Sequence, residues 1–118
     1  MGKLTTHVLD TANGCPAAGL AVRLYRIDAD EHATLLKALV LNEDGRADGP
    51  LLADDEYQPG AYRLVFELAA YFRALGATLQ EPPFLDRVSL DFGLAVGEAH
   101  YHVPLLASPW AYSTYRGS

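Results

Sequence analysis

Gly60-Ala61-Tyr62-Arg63-Leu64-Val65-Phe66-Glu67-Leu68 is the stretch on which the class of fold turns. In an extended chain Tyr62, Leu64, Phe66 and Leu68 fall on one side, and Arg63 and Glu67 on the other. A period of two, with one apolar and one polar face, marks a strand buried on one side in an antiparallel sheet. The same alternation recurs on either side of this stretch. Over residues 87–92, Val88, Leu90 and Phe92 oppose Arg87, Ser89 and Asp91; over residues 20–27, Leu20, Val22 and Leu24 oppose Arg23. Residues 4–10 form an apolar run closed by the turn formers Asn13-Gly14 and Pro16. A further strand is predicted over residues 33–41, ended by Asn42-Glu43-Asp44-Gly45. One segment departs from the period. Leu68, Phe72, Leu75 and Leu79 recur at helical spacing with Gly76 near the end, which predicts one short helix packed on a sheet edge, stopped well before Pro82-Pro83. Strands at this density with a single helix predict an all-β, two-layer sandwich.

Length and charge agree with that reading. A chain of 118 residues makes one domain, 1–118, and half of its residues are hydrophobic, enough for a core. A single small sandwich has modest stability, and oligomerisation is a common route to further burial. The formal net charge of −6 argues against a nucleic-acid partner and against adsorption to anionic membranes. Cys15 is the one cysteine, so no intrachain disulfide forms, and no cation sits beside it in Asn13-Gly14-Cys15-Pro16 to activate the thiol. No run is long enough to span a bilayer and no apolar secretory region follows the start, so the protein is expected in the cytoplasm. Met1-Gly2 with Thr6 matches a loose myristoylation pattern, which the strand beginning at Leu4 marks as coincidence.

The C-terminal third carries the chemistry. His100-Tyr101-His102-Val103-Pro104-Leu105-Leu106 reads as a strand, with Tyr101, Val103 and Leu105 on the core face and His100, His102, Pro104 and Leu106 on the other. Pro104 cannot donate to a ladder, which predicts a strand edge or a site facing another subunit. Two histidines beside apolar residues suit neither open solvent nor a core, and predict an interface or a lined cleft. Most termini are polar and fray, but Trp110, Tyr112 and Tyr115 stand among β-formers almost to the end. This predicts an ordered last strand with Tyr112 towards the core and Ser113 and Tyr115 on the opposite face.

Thr6-His7-Val8-Leu9-Asp10, Asp44-Gly45-Arg46, Pro82-Pro83-Phe84-Leu85 and the segments 100–106 and 112–118 together resemble the 5-hydroxyisourate hydrolases, enzymatic relatives of transthyretin. The likeness covers nearly the whole chain; residues 52–59 and 93–99 are more individual. Tyr115-Arg116-Gly117-Ser118 is its most diagnostic part, because the hormone-binding transthyretins lack it. The resemblance implies a transthyretin-like β-sandwich of about eight strands, Greek-key in type, with one short helix. It also implies a homotetramer, a dimer of dimers, with active sites in the channel between dimers. The activity implied is cofactor-free hydrolysis of 5-hydroxyisourate, the unstable product of urate oxidation, to 2-oxo-4-hydroxy-4-carboxy-5-ureidoimidazoline. Carried over one residue at a time, the catalytic set falls on His7, Arg46, His102 and Ser118. The substrate-binding set falls on Tyr115, Arg116 and Gly117, with His100 beside them.

These residue types suit that chemistry. Opening a cyclic amide needs a base for water, and an imidazole titrates near working pH, at ~6.5. His7 and His102 are expected to flank the reacting carbonyl, one activating water and the other orienting it; which does which stays open. Arg46 offers a rigid fork of donors to hold a planar, oxygen-rich ring and to stabilise growing negative charge. Alternate strand residues lie ~6.5–7 Å apart, so His100 and His102 could also share a zinc ion with His7. The Arg46 charge and the lack of a carboxylate motif weigh against it, and no metal is expected. Asp54-Asp55-Glu56 reads as a solvated turn, and no Gly-x-Ser-x-Gly elbow supports a serine mechanism. Two other functions compete: a transthyretin-type binder of a small hydrophobic ligand, and an immunoglobulin-like interaction module.

Overall fold

The computed structural model describes residues 2–97 and 99–117. In chain order these run through β1 (Lys3–Asp10), β2 (Cys15–Pro16), β3 (Ala21–Ile27), β4 (Ala33–Val40), β5 (Leu52–Ala53), β6 (Gly60–Phe66), α1 (Leu68–Ala74), β7 (Val88–Leu94), β8 (His100–Ala107) and β9 (Tyr112–Thr114). One sheet has the order β2-β1-β8-β9, with β5 also paired to β1; the other has the order β4-β3-β6-β7. All pairings are antiparallel except β1 with β8. The result is the expected two-sheet sandwich.

The alternation in the sequence decides what lies between the sheets. Tyr62, Leu64 and Phe66 of β6 are buried, and so are Val22 and Leu24 of β3, Val88 of β7, Leu4 and Val8 of β1, and Val103 and Leu105 of β8. Leu68 joins this core, but as the first residue of α1 rather than the last of a strand. The helix is shorter than its apolar spacing suggested. It ends at Ala74, followed by Leu75 and by Gly76 at φ +91°. Leu75 is exposed, and Leu79 packs against the core from beyond the helix. Glycine at a positive φ stops the helix cheaply, so the last two residues of the helical stripe lie outside it.

β4 forms as predicted, an edge strand that leaves Leu35 and Val40 exposed. Two further expectations are revised. Pro104 lies not at a sheet edge but on β8, between β1 and β9. Its missing donor is tolerated because the β8–β9 ladder breaks there. Thr114 pairs with Leu105, the next bridge joins His102 to Gly117, and the Thr114 hydroxyl donates to the Pro104 carbonyl at 2.6 Å. Tyr112 sits on the core-side face opposite buried Ala107, yet it remains 45% exposed. Strand parity was read correctly; burial was not, because β9 is the edge strand of its sheet.

Candidate active site

The parallel pairing of β1 with β8 sets the site. Its register places Lys3 beside His100, Thr5 beside His102 and His7 beside Pro104. Leu4, Thr6, Val8 and Asp10 turn inward and are buried, so Thr5 and His7 share the outward face with His100 and His102. The His7 and His102 ring centroids are 6.5 Å apart, tilted by 33°. His100 and His102 are 6.4 Å apart, edge to face. Between these two, the Thr5 Oγ1 lies 2.8 Å from His100 Nε2 and 2.8 Å from His102 Nδ1.

Arg46 reaches this face through a turn. The Asn42 side-chain oxygen accepts from the backbone N–H of Asp44 at 2.9 Å and of Arg46 at 3.2 Å. Gly45 adopts φ +71°, and a Cβ there would meet the Val8 carbonyl oxygen at 2.5 Å. Only glycine permits this approach. The Val8 N–H then donates to the Gly45 carbonyl at 2.9 Å, and Arg46 bridges His7. Asp44-Gly45-Arg46 thus covers the middle of the β1 edge left open between β2 and β5.

The C-terminal segment closes the other side. The Gly117 N–H donates to the His102 carbonyl at 2.7 Å, and the His102 N–H to the Gly117 carbonyl at 3.4 Å. The His102 ring lies so near that a Cβ on Gly117 would sit 2.9 Å from its Cδ2. Tyr115, exposed, shares the face of Gly117 by parity. Arg116 points the other way. Its guanidinium stacks 4.2 Å from the Tyr101 ring centroid, lining a cavity of about 250 Å³ with Leu90, Phe92 and Val103. Of the residues expected in the site, His7, His100, His102, Arg46 and Gly117 come together, whereas Arg116 anchors to the core-side face. Ser118 lies outside the described residues.

The electrostatics favour neutral imidazoles. Burial lowers the His102 pKa below 6.5, and the positive charge of Arg46 and the neighbouring His7 and His100 lower it further. His7 is lowered by burial and by Arg46, against an opposing backbone hydrogen bond at Asp44. Near pH 7 both rings can therefore accept a proton. Among the described residues no group of three His, Cys, Asp or Glu side chains is placed to hold a metal ion. His100 and His102 both present a ring nitrogen to the Thr5 hydroxyl instead. Thr5 is the residue that sequence reasoning missed. It stands two positions before His7, on the same strand face, but nothing in the sequence reveals which strand lies beside it.

Comparison with known proteins matches the chain to one family. The model of the HIUase/transthyretin family matches residues 4–117. The 5-hydroxyisourate hydrolase of Pseudomonas aeruginosa is 52% identical over 118 residues, covering 100% of this chain and 93% of that protein. The crystal structure of an (S)-allantoin synthase overlays with a TM-score of 0.92 at 47% identity, covering 99% of this chain. This chain spans only 44% of that one. Sea bream transthyretin in complex with thyroxine overlays with a TM-score of 0.87 at 28% identity, over 98% of this chain and 94% of that one.

Proposed function

The chain belongs to the HIUase/transthyretin family, and from that premise we propose that it is an enzyme that hydrolyses 5-hydroxyisourate, a step in the breakdown of urate. The observation that carries this reading is the outward face where His7 and His102 stand 6.5 Å apart beside Arg46 and the Gly117 backbone. A transthyretin-type binder of an apolar ligand is not favoured, since this face presents imidazoles, a hydroxyl and a guanidinium.

The reaction follows from those groups. A neutral imidazole takes a proton from water as the water oxygen attacks the ring carbonyl. The base contributes a rate factor of about 10²–10⁴. The carbonyl electrons move onto its oxygen, where the Arg46 fork stabilises the developing charge. His102 is the base in this reading, and His7, whose backbone is bridged to Arg46, orients the water. Tyr115 and Gly117 border the substrate, and Ser118 is assigned to the catalytic set on the family resemblance. Arg116 acts by holding the terminal segment through Tyr101, which is supported by its 4.2 Å stacking distance.

We further propose that the active form is a homotetramer, a dimer of dimers. Support comes from the exposed Trp110, Tyr112 and Tyr115 on and around an edge strand, a surface suited to pairing with another copy. A cytoplasmic location is proposed on the acidic composition and the half-buried free thiol of Cys15.

The deciding experiment follows the ultraviolet absorbance of 5-hydroxyisourate generated in place by urate oxidase, with the native chain and His102→Ala side by side. Rapid loss with the native chain, reduced to near the spontaneous rate in the variant, is expected. Spontaneous decay with both would overturn the hydrolase reading.

A further inference from the structure

A hydroxyl group has one proton to give and lone pairs that accept. Thr5 Oγ1 lies at hydrogen-bonding distance, 2.8 Å, from a ring nitrogen of each of two histidines. It cannot donate to both. At least one ring must therefore present an N–H to Thr5, and whether His102 does so decides which of its nitrogens is free to act. The two rings differ in setting. His100 is exposed, whereas His102 is half-buried, with Thr5 and His7 facing it from β1, Arg46 from the turn, and the Gly117 backbone from the terminus.

We propose that Thr5 and His100 are positioning residues for His102: the Thr5 hydroxyl accepts from Nδ1–H of His102 and donates to Nε2 of His100, which holds the His102 Nε2 lone pair ready for water. The catalytic part of this inference rests on the hydrolase reading above; the tautomer does not. In the opposite order the His102 Nε2 carries a proton and cannot act as a base. In the proposed order nothing needs to rearrange when His102 becomes charged, because Nδ1–H already points at an acceptor. Thr5 in turn passes part of that charge to solvent-facing His100.

The proton balance is closed. As the water O–H bond breaks, its electron pair forms the new C–O bond, and the proton joins His102 Nε2. The carbonyl π pair moves onto oxygen beside Arg46. When the oxygen pair returns and the ring C–N bond breaks, Nε2–H passes to the leaving nitrogen, and His102 regains its starting tautomer. Thr5 and His100 touch neither water nor substrate; they set which nitrogen of His102 does.

The test uses the full chain labelled with ¹⁵N-histidine, without substrate, at a pH where the rings are neutral, with His100→Gln and His102→Gln spectra for assignment. Native His102 is expected to show a protonated Nδ1 and an unprotonated Nε2, and Thr5→Val to turn this into a mixture. In the hydrolysis assay, Thr5→Val is expected to lower kcat by roughly tenfold or more while KM stays within about twofold. Thr5→Ser, which keeps the hydroxyl, is expected to recover to within about threefold of native. A native His102 with its proton on Nε2, a Thr5→Val enzyme at the native rate, or a Thr5→Ser enzyme as slow as Thr5→Val would each overturn the proposal. Should the native chain fail to hasten 5-hydroxyisourate loss, the hydrolase reading falls, and the nitrogen spectra alone decide the role of Thr5.

Discussion

β1 carries a polar cluster on each of its two faces, and the two are built to opposite ends. On the inner face Asp10 is 1% exposed and accepts from the Asn13 N–H at 3.0 Å, the Asn13 side chain at 2.7 Å and the Tyr71 hydroxyl at 2.8 Å. Burial alone would raise its pKa, but these bonds hold it below the ordinary carboxylate value. Burial, and then the same contact, push the Tyr71 phenol up. Every group there has its partner, and the cluster ties α1 to β1. On the outer face one hydroxyl is shared between two imidazoles, and burial, with the Arg46 charge second to it, lowers the pKa of His7 and His102. A satisfied network holds a structure in place, whereas one with spare capacity is available for chemistry.

The comparison can be broken at either face. The largest effect is expected from His102→Ala, with kcat down by about 10²–10⁴-fold and little change in the urea midpoint; a loss of under tenfold would remove His102 as the base. Gly117→Ala, which drives a methyl group into the His102 ring, is expected to lower kcat about tenfold by displacing that ring. Native circular dichroism would show that the fold has survived. The inner face should answer in reverse. Tyr71→Phe is expected to cost about 1–2 kcal/mol of stability in urea unfolding, with kcat nearly unchanged. If activity falls and stability does not, the two clusters are not separate.

The smallest effect expected is a shift in titration. Because the folded pKa of His7 and of His102 lies below 6.5, the unfolded chain takes up protons first as pH falls through 6.5. Their share of stability is therefore complete above 6.5 and declines below it, down to the folded values. The contribution of Asp10 has a different window. It persists until pH falls below 3.8, the ordinary value of the carboxyl group, and is lost through the lower folded pKa. Arg46→Gln should raise the midpoints of both histidines, read by NMR, without returning them fully to 6.5, since burial is the larger cause. Unmoved midpoints would mean that the Arg46 charge does not reach the rings.

Much of this was legible in the chain. The alternation of Tyr62, Leu64 and Phe66 against Arg63 and Glu67 is sufficient to define a half-buried strand, because successive side chains on a strand must point to opposite faces. That local rule also sorted His100 and His102 from Val103 and Leu105. It failed where burial depends on what stands opposite: Tyr112 has the right parity but lies on an edge strand. The α1 stripe likewise ran two apolar residues past the helix, because spacing does not mark where Gly76 turns the chain.

For the site, the residue types were in the sequence and the pairings were not. His7, Arg46 and His102 are 39 and 56 residues apart in sequence, by their numbering, and an imidazole carries no mark of the strand that will lie beside it. Two properties follow from the sequence by itself: the two-faced strands and the kinds of group available for chemistry, both set by side-chain chemistry and the period of an extended chain. Only the tertiary structure decided that β8 lies parallel to β1 in the register that puts Thr5 between His100 and His102. It also decided that Gly45 and Gly117 bring Arg46 and the terminus against them. The reason is physical. Register between distant strands is settled by burying one common core, a property of the whole chain and not of any segment within it.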